Sequence, residues 1–263
     1  MDFIPYSPER WRNEKINIGI DSLEKSGSGL AVKYNNGILL MGENPSSTIR
    51  ITSEVFDRIA IIGTGQTYEE IGTGQTNQYE TLKKLVILNA EFMGLQDGDR
   101  DVSAYKLAKN VLSPTIGTQF NEGLYPFEVE FMLAELGKNN VKRIYHVMFT
   151  GTISEREGFF AIGSKAYKRK EEEDEQKIVD FLRKNYQDFS KTNIRDCFLI
   201  SLDALKTVKK RTEYYLSELE VSILDTELKE DSKFRTLSIE EIKFMTSNDN
   251  IETIYKYLNS KNY

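Results

Sequence analysis

The chain has 263 residues and a formal net charge of −6, with 39% hydrophobic and 29% charged residues. This mixture excludes collagen-like, low-complexity and disordered proteins, and the acidic balance argues against non-specific binding to nucleic acid or an anionic membrane. One Cys cannot form an internal disulfide, and one His cannot build a His-rich metal site. The composition therefore predicts a protein that uses neither thiol nor imidazole chemistry.

Signals for export or membrane insertion are not evident. The first twelve residues lack the apolar core of a signal peptide. No apolar stretch approaches the ~20 residues that span a bilayer. We therefore expect a soluble, cytoplasmic protein without a membrane partner.

The first predicted elements are a helix and a hairpin. Ser7-Pro8-Glu9 combines a capping hydroxyl, a proline for the first helical position and a first-turn acid, so a helix should run from there to Gly27. Asn36-Gly37 lies between apolar runs at 30–34 and 38–41, a pattern typical of a β-hairpin. A further short strand is expected around 58–62.

The next predicted elements are two helices, over 76–93 and 101–120. Asp101 should cap the second helix, and Pro114 should kink or split it, because proline lacks the amide proton and its ring crowds the preceding turn. The remaining expected elements are strands at 127–136, 141–149, 158–162 and 219–224 and helices at 172–187, 193–211, 239–245 and 251–258.

This order predicts an α+β fold with two antiparallel sheets between helical layers. No linker rich in Pro, Gly or Ser divides the sequence, so residues 1–263 are interpreted as a single domain. The predicted domain has an N-terminal helical segment (1–27) and a helical C-terminal tail (238–263).

Two motifs suggest ligand sites and fail on their spacing. Gly63-Thr64-Gly65 resembles a dinucleotide fingerprint, but Tyr68 occupies the position that requires a small residue. The block 62–67 recurs as 71–76, which indicates a local insertion. Asp97 to Asp101 begins like a calcium loop, but later positions lack the required Gly and Glu. No cofactor and no metal site are predicted, and His146 and Cys197 are interpreted as structural.

Several segments, taken in order, resemble one family. The chain resembles an α-type subunit of the 20S proteasome, most closely the actinobacterial-type bacterial branch. The matching segments are Tyr6-Ser7-Pro8-Glu9, Glu43-Asn44-Pro45-Ser46, Ser53 to Arg58, Gly117-Thr118-Gln119-Phe120, Tyr125 to Glu130 and Leu219 to Asp225.

The resemblance implies a fold, an assembly and a set of sites. The fold would be the four-layer α/β/β/α sandwich of N-terminal-nucleophile hydrolases. The assembly would be a cytoplasmic core particle in which seven-membered α rings cap β rings, and the helix at 76–93 would face the β ring. Residues Phe3, Tyr6 and Pro8 would form or support a gate for unfolded protein substrates. The outer surface would dock a ring-shaped ATPase.

The same resemblance implies a non-catalytic role. A catalytic relative begins its first strand with a freed N-terminal Thr, whereas here a whole helix precedes Gly27-Ser28-Gly29. Glu43 occupies the position of the family's acid, and Arg58 lies in the segment that corresponds to its lysine. Two alternatives stay open: a self-processing hydrolase that exposes Ser28, and a small-molecule-binding enzyme that uses the Gly63 turn.

The ATPase-tail pocket departs from the family pattern. Related bacterial α subunits carry a lysine there that pairs with a carboxyl terminus, and Ile51 takes its place here. The neighbouring Arg50 could substitute as a carboxylate partner. Successive strand residues point to opposite faces, so the docking mode depends on how Arg50 is oriented.

Overall fold

The computed structural model describes residues 7–44, 46, 48–65, 78–169, 176–186, 188–211, 216–230, 232–246 and 258. The helices there are α1 (Pro8–Lys25), α2 (Gln78–Asp97), α3 (Ala104–Leu107), α4 (Ser113–Glu122), α5 (Ile178–Asn185), α6 (Ile194–Lys209) and α7 (Ile239–Thr246). The strands are β1 (Gly29–Lys33), β2 (Gly37–Glu43), β3 (Thr52–Phe56), β4 (Ile59–Gly65), β5 (Val129–Leu136), β6 (Lys142–Val147), β7 (Ile153–Arg156), β8 (Phe159–Ile162), β9 (Leu219–Asp225) and β10 (Phe234–Thr236).

The strands form two antiparallel five-stranded sheets. Sheet A has the order β10-β9-β2-β1-β8, and sheet B has the order β3-β4-β5-β6-β7. The predicted hairpin at Asn36-Gly37 is confirmed, with Lys33 opposite Ile38. The predicted pairing of β5 with β6 is also confirmed, with Leu136 opposite Lys142.

Strand alternation builds the layers. Along β4, Ile59 and Ile61 pack with residues of α2 and α3, whereas Ala60 and Ile62 pack with residues of sheet A. Successive side chains on a strand point to opposite faces, so sheet B buries one face against helices and the other against sheet A. Helices α5, α6 and α7 cover the outer face of sheet A. The result is the α/β/β/α order predicted from the sequence.

Helix α1 lies across the ends of β4 and β5. It begins as predicted: Ser7 Oγ accepts the Arg10 amide at 3.2 Å, and Pro8 is the first helical residue. Its Leu23 packs with Phe149. A Cβ at Gly19 would lie 2.5 Å from the Phe149 ring, so glycine is required for the close approach.

Three strands were not predicted: β3, β7 and β10. Each lies at the edge of its sheet, is no longer than five residues and is only partly buried. An edge strand has one unpaired side and a mixed polar pattern, so its sequence carries little of the apolar alternation that identified the central strands.

The helix predicted over 101–120 differs in its start and its middle. Ser103, not Asp101, caps it, by accepting the Lys106 amide. Residues Ala108–Leu112 form a π turn directly before α4, and the Ser113 amide bonds the carbonyl of Ala108. The irregularity expected at Pro114 therefore takes the form of a wider turn, which gives the proline ring room.

Several predictions lie outside the described residues: the gate residues Phe3 and Tyr6, the second copy of the repeated block at 71–76 and most of the last helix, at 251–258. Helix α5 begins at Ile178 rather than near 172. Among the described helices, none combines the length and apolar character needed to cross a membrane.

Candidate functional site

Ser28, the alternative nucleophile, is enclosed within the chain. It is 1% exposed. Its Oγ donates to the carbonyl of Ser164 at 2.6 Å, and its amide donates to Glu43 Oε2 at 2.9 Å. The residue is joined through Gly27 to α1, so its amine is part of a peptide bond. The hydroxyl proton is held by a carbonyl, and a nitrogen in a peptide bond cannot serve as the base that the free N-terminal amine supplies in this class of nucleophile.

The cation beside this site comes from an unpredicted position. Lys209, near the end of α6, places Nζ 3.0 Å from Glu43 Oε2. Arg58 lies in the turn before β4, whereas Thr64, near the other end of that strand, donates to the carbonyl of Gly27 at 2.6 Å. The expectation that Arg58 corresponds to the family's cation beside the nucleophile is therefore wrong. Glu43 and Lys209 are far apart in the sequence, so their contact could not be predicted from it.

The chain is closely packed around Gly27. A Cβ at Gly163, which has φ of +82°, would lie 2.1 Å from the Gly27 carbonyl oxygen. Ser26 Oγ bonds the Leu23 carbonyl at 2.8 Å and so closes the end of α1. The connection between α1 and β1 is therefore closely packed against the chain around Gly163.

The N-terminal half of α1 is attached to α4 through Lys15. This buried amine donates to the carbonyls of Phe120, Asn121 at 3.2 Å and Gly123 at 3.4 Å. These carbonyls are at the C-terminal end of α4, where helix carbonyls lack internal partners and the dipole favours a cation. Lys15 therefore caps a second helix while fixing the first, which sets the direction in which α1 projects Pro8.

Arg50 is an exposed cation on a fixed backbone. Its side chain is 63% exposed, and Nη1 is 4.0 Å from Glu220 Oε2. The Ile51 side chain turns inward, because a Cβ at Gly42 would lie 2.5 Å from Ile51 Cδ1. Arg50 and Ile51 thus point in different directions. The structure leaves Arg50, not Ile51, available to an approaching carboxylate.

Glu220 organises the segment that carries Arg50. Its buried carboxylate accepts the amides of Ile51 at 3.2 Å and Thr52 at 2.9 Å. From the other side, Lys83 of α2 donates to the Arg50 carbonyl at 2.9 Å. Tyr79 donates to the Ile51 carbonyl at 2.6 Å, and burial together with the charge of Glu220 raises the pKa of this phenol.

Helix α2 presents an apolar stripe to solvent. Leu88, Phe92 and Leu95 are each more than half exposed. Their spacing of four and three residues places them on one side of the helix, while Leu82, Val86 and Ala90 face the core. A contiguous exposed apolar face indicates a protein interface.

A buried network surrounds His146, which the sequence suggested only as a structural residue. Arg156 donates to His146 Nδ1 at 3.3 Å, so the ring proton lies on Nε2 and is donated to Glu130 Oε1 at 3.2 Å. Glu130 also accepts from Tyr167, the Gly163 amide at 3.1 Å and Arg169 at 2.9 Å. No nucleophile contacts this imidazole among the described residues, so the geometry favours the structural role.

Burial alone would raise the pKa of Glu130. The hydrogen bond from His146 and the charge of Arg169 outweigh burial and lower this pKa to about 2. Burial and the Glu130 charge raise the pKa of Tyr167. The network therefore holds an ionised carboxylate beside a neutral phenol at physiological pH.

The described residues do not favour a nucleotide or metal site. Gly63 packs between Tyr79 and Phe131, and a Cβ there would lie 2.3 Å from the Tyr79 ring. This glycine therefore has a packing function. Across the described ranges, no group of three His, Cys, Asp or Glu side chains is placed to hold a metal ion.

Comparison with known proteins agrees with this architecture. The family model described as "Proteasome subunit" matches residues 23–224. The chain is 29% identical over 244 residues to the proteasome subunit alpha of Saccharomonospora viridis, covering 90% of this chain and 87% of that protein. It is 34% identical to the proteasome subunit alpha of Frankia casuarinae, and the match covers 62% of this chain and 64% of that protein. It is 27% identical to the proteasome subunit alpha of Arthrobacter sp., and the match covers 93% of this chain and 97% of that protein. The Frankia match thus spans less than two thirds of that relative.

Proposed function

Since the chain belongs to the proteasome subunit family and resembles α subunits of actinobacteria, we propose that it is a non-catalytic α subunit of a cytoplasmic 20S core particle. In this proposal it forms the outer ring with further copies of itself, stacks on β subunits, gates the passage of unfolded proteins and docks a ring-shaped ATPase. Residues 1–263 act as one domain.

The observation that carries the non-catalytic role is the environment of Ser28. Its amide and hydroxyl are both engaged, and α1 precedes it without interruption. Lys209 and Glu43 form an ion pair beside it, so neither is free to act as a base. The intact mass of the purified particle tests this role. An unprocessed chain supports it, and loss of the first 27 residues would favour a self-processing hydrolase.

The stripe Leu88, Phe92 and Leu95 supports stacking on a β ring. Burying two leucines and a phenylalanine contributes about 1.5–3 kcal/mol for each side chain, repeated for every subunit of a ring. Co-expression with the organism's β subunit should give stacked rings in electron micrographs. Leu88→Glu should leave free α subunits, while the matched control Val141→Glu, at a half-exposed apolar residue beside β6, should assemble normally. Folded subunits that stay apart without any mutation would refute the assignment.

Arg50 supports the ATPase-docking part of the proposal. Its exposed guanidinium can form a bidentate contact with a terminal carboxylate. Lys83 donates to the Arg50 carbonyl, and the next amide, that of Ile51, donates to Glu220, so the backbone here is held in place. Arg50→Ala should abolish binding of the ATPase's C-terminal peptide in a fluorescence-anisotropy titration, while Arg183→Ala should not. Equal binding by wild type and Arg50→Ala would exclude this residue from the pocket.

For the gate, Pro8 sets the backbone angle at the start of α1, and the residues before it would cover the pore. Phe3 and Tyr6 are proposed as the side chains that close it. A particle that lacks residues 1–6 should hydrolyse short fluorogenic peptides faster than the complete particle.

A further inference from the structure

A cleft at one end of sheet B contains charged groups that the proposed function does not use. Its volume is about 870 Å³, and its walls are the turn between β3 and β4, the segment before α3, and the turn between β5 and β6. Ile59, at the start of β4, lines it, whereas Thr64, near the other end of β4, contacts Gly27. The cleft is therefore separate from the surroundings of Ser28, and its size suits a small molecule.

Glu135, on β5, lines the cleft as a buried carboxylate with one oxygen unused. The residue is 7% exposed. Its Oε2 accepts the Ala104 amide at 3.1 Å, at the start of α3. Across the described residues, no donor contacts its Oε1. Burial raises the pKa of this carboxyl, because the charged form has too few partners for its loss of water. A cationic donor in the cleft would supply the missing contact.

Arg143, on β6, brings a guanidinium to the same place without bonding Glu135. The two residues are directly opposite in the pairing of β5 with β6, so their side chains share one face of sheet B. A Cβ at Gly137 would lie 3.5 Å from Arg143 Nη1 and 3.6 Å from Glu135 Oε1. Arg143 instead pairs loosely with the partly exposed Glu155, at 4.0 Å from Nε. A carboxylate oxygen and a guanidinium nitrogen thus border one small space that no side chain fills.

The rest of the cleft carries charges of both signs and an apolar surface. Asp57 and Asp99 are exposed in its lining, and so are Arg58 and Lys138. These charges balance, so the lining as a whole favours neither a cation nor an anion. The apolar residues of the lining are Phe56, Ile59, Val102 and Leu136.

We propose that this cleft binds a free α-amino acid with an apolar side chain, with its ammonium on Glu135 Oε1 and its carboxylate on Arg143. The two charged groups of an α-amino acid are attached to one carbon, so a single small ligand reaches both sides of the space beside Gly137. A guanidinium binds a carboxylate with two parallel hydrogen bonds. A ligand with only one charge would leave Glu135 or Arg143 without its partner. This site goes beyond the proposed function and does not depend on it.

Isothermal titration calorimetry of the full chain with leucine tests the proposal. Wild type should bind one leucine per chain. Glu135→Gln and Arg143→Gln should each weaken binding by about tenfold or more, because each removes a hydrogen bond between charged groups. The matched controls Glu157→Gln and Arg183→Gln change charged residues outside the cleft, and both should bind leucine as wild type does.

Two analogues test the head group on the unmutated chain, which keeps the proposal open to refutation if a variant does not fold. N-Acetylleucine keeps the carboxylate and lacks the ammonium, whereas 3-methylbutylamine keeps the ammonium and lacks the carboxylate. Each should bind at least about tenfold more weakly than leucine. Absence of binding at millimolar leucine, wild-type affinity in Glu135→Gln, or an analogue that binds as tightly as leucine would overturn the proposal.

Discussion

Replacing Glu130 by glutamine should destabilise the chain strongly at neutral pH and much less in acid. Glu130 accepts bonds from His146, Tyr167, Gly163 and Arg169 in the interior. Its pKa falls from the usual 4.5 to about 2. Each pKa unit corresponds to about 1.4 kcal/mol, so ionised Glu130 contributes about 3 kcal/mol. Removing one partner of a buried ion pair costs about 3–5 kcal/mol.

The sign of the pH dependence follows from the lowered pKa. The stabilisation is complete above the unfolded pKa of about 4.5 and is lost as the pH falls toward the folded value of about 2. By pH 3 about 2 kcal/mol should be gone from wild type. Glu130→Gln has no carboxyl to protonate, so the gap between the two proteins should shrink by that amount.

Urea unfolding of the two proteins at pH 6 and pH 3, followed by circular dichroism, measures this gap. Glu157→Gln is the matched control, because that carboxylate is 81% exposed and lies 3.6 Å from Lys33. A gap that stays the same at both pH values, or no loss of stability at pH 6, would refute the assignment of Glu130 as the ionised centre of the network.

Three further predictions concern buried groups. Burial raises the pKa of Glu135, so the ionised carboxylate destabilises the folded chain at a pH above that pKa. Glu135→Gln should therefore raise the midpoint of urea unfolding at pH 8. A lower midpoint would contradict this. Ser28→Ala should lower stability by about 1 kcal/mol through the lost bond to Ser164 while peptide hydrolysis by the particle stays unchanged; lost hydrolysis in an assembled particle would point to catalysis by Ser28. Burial raises the pKa of Cys197 to about 12, so the thiol should react with Ellman's reagent only after unfolding, and rapid labelling of the native chain would show that the site opens.

The sequence predicted the centre of the fold better than its edges. The hairpin at Asn36-Gly37 has a local turn signal and two apolar strands, and both are present. Strand β10, with Phe234 and Thr236 both half-buried, carries neither signal. It forms by pairing with β9, and no local pattern in its own sequence predicts that pairing.

The same limit applies to the site. The fixed environment of Ser28 could be anticipated from the helix in front of it, but the partner of Glu43 could not. Lys209 is close only after α6 has packed on sheet A. Glu130 and His146 likewise meet because β5 and β6 pair with a particular register, in which Met132 lies opposite His146. Side chains that come together only through tertiary packing have no characteristic spacing in the sequence that would reveal their contact.

The π turn Ala108–Leu112 has a consequence for how the chain tolerates insertions and deletions. An α-helix turns by about 100° for each residue, so the additional residue held in this turn sets the angle of everything after it. Deleting one residue there would rotate Phe120 away from Phe149 and carry the α4 carbonyls away from Lys15. The number of residues in this helix is therefore constrained, because inserting or deleting one of them would disrupt its contacts with α1, which is distant in the sequence.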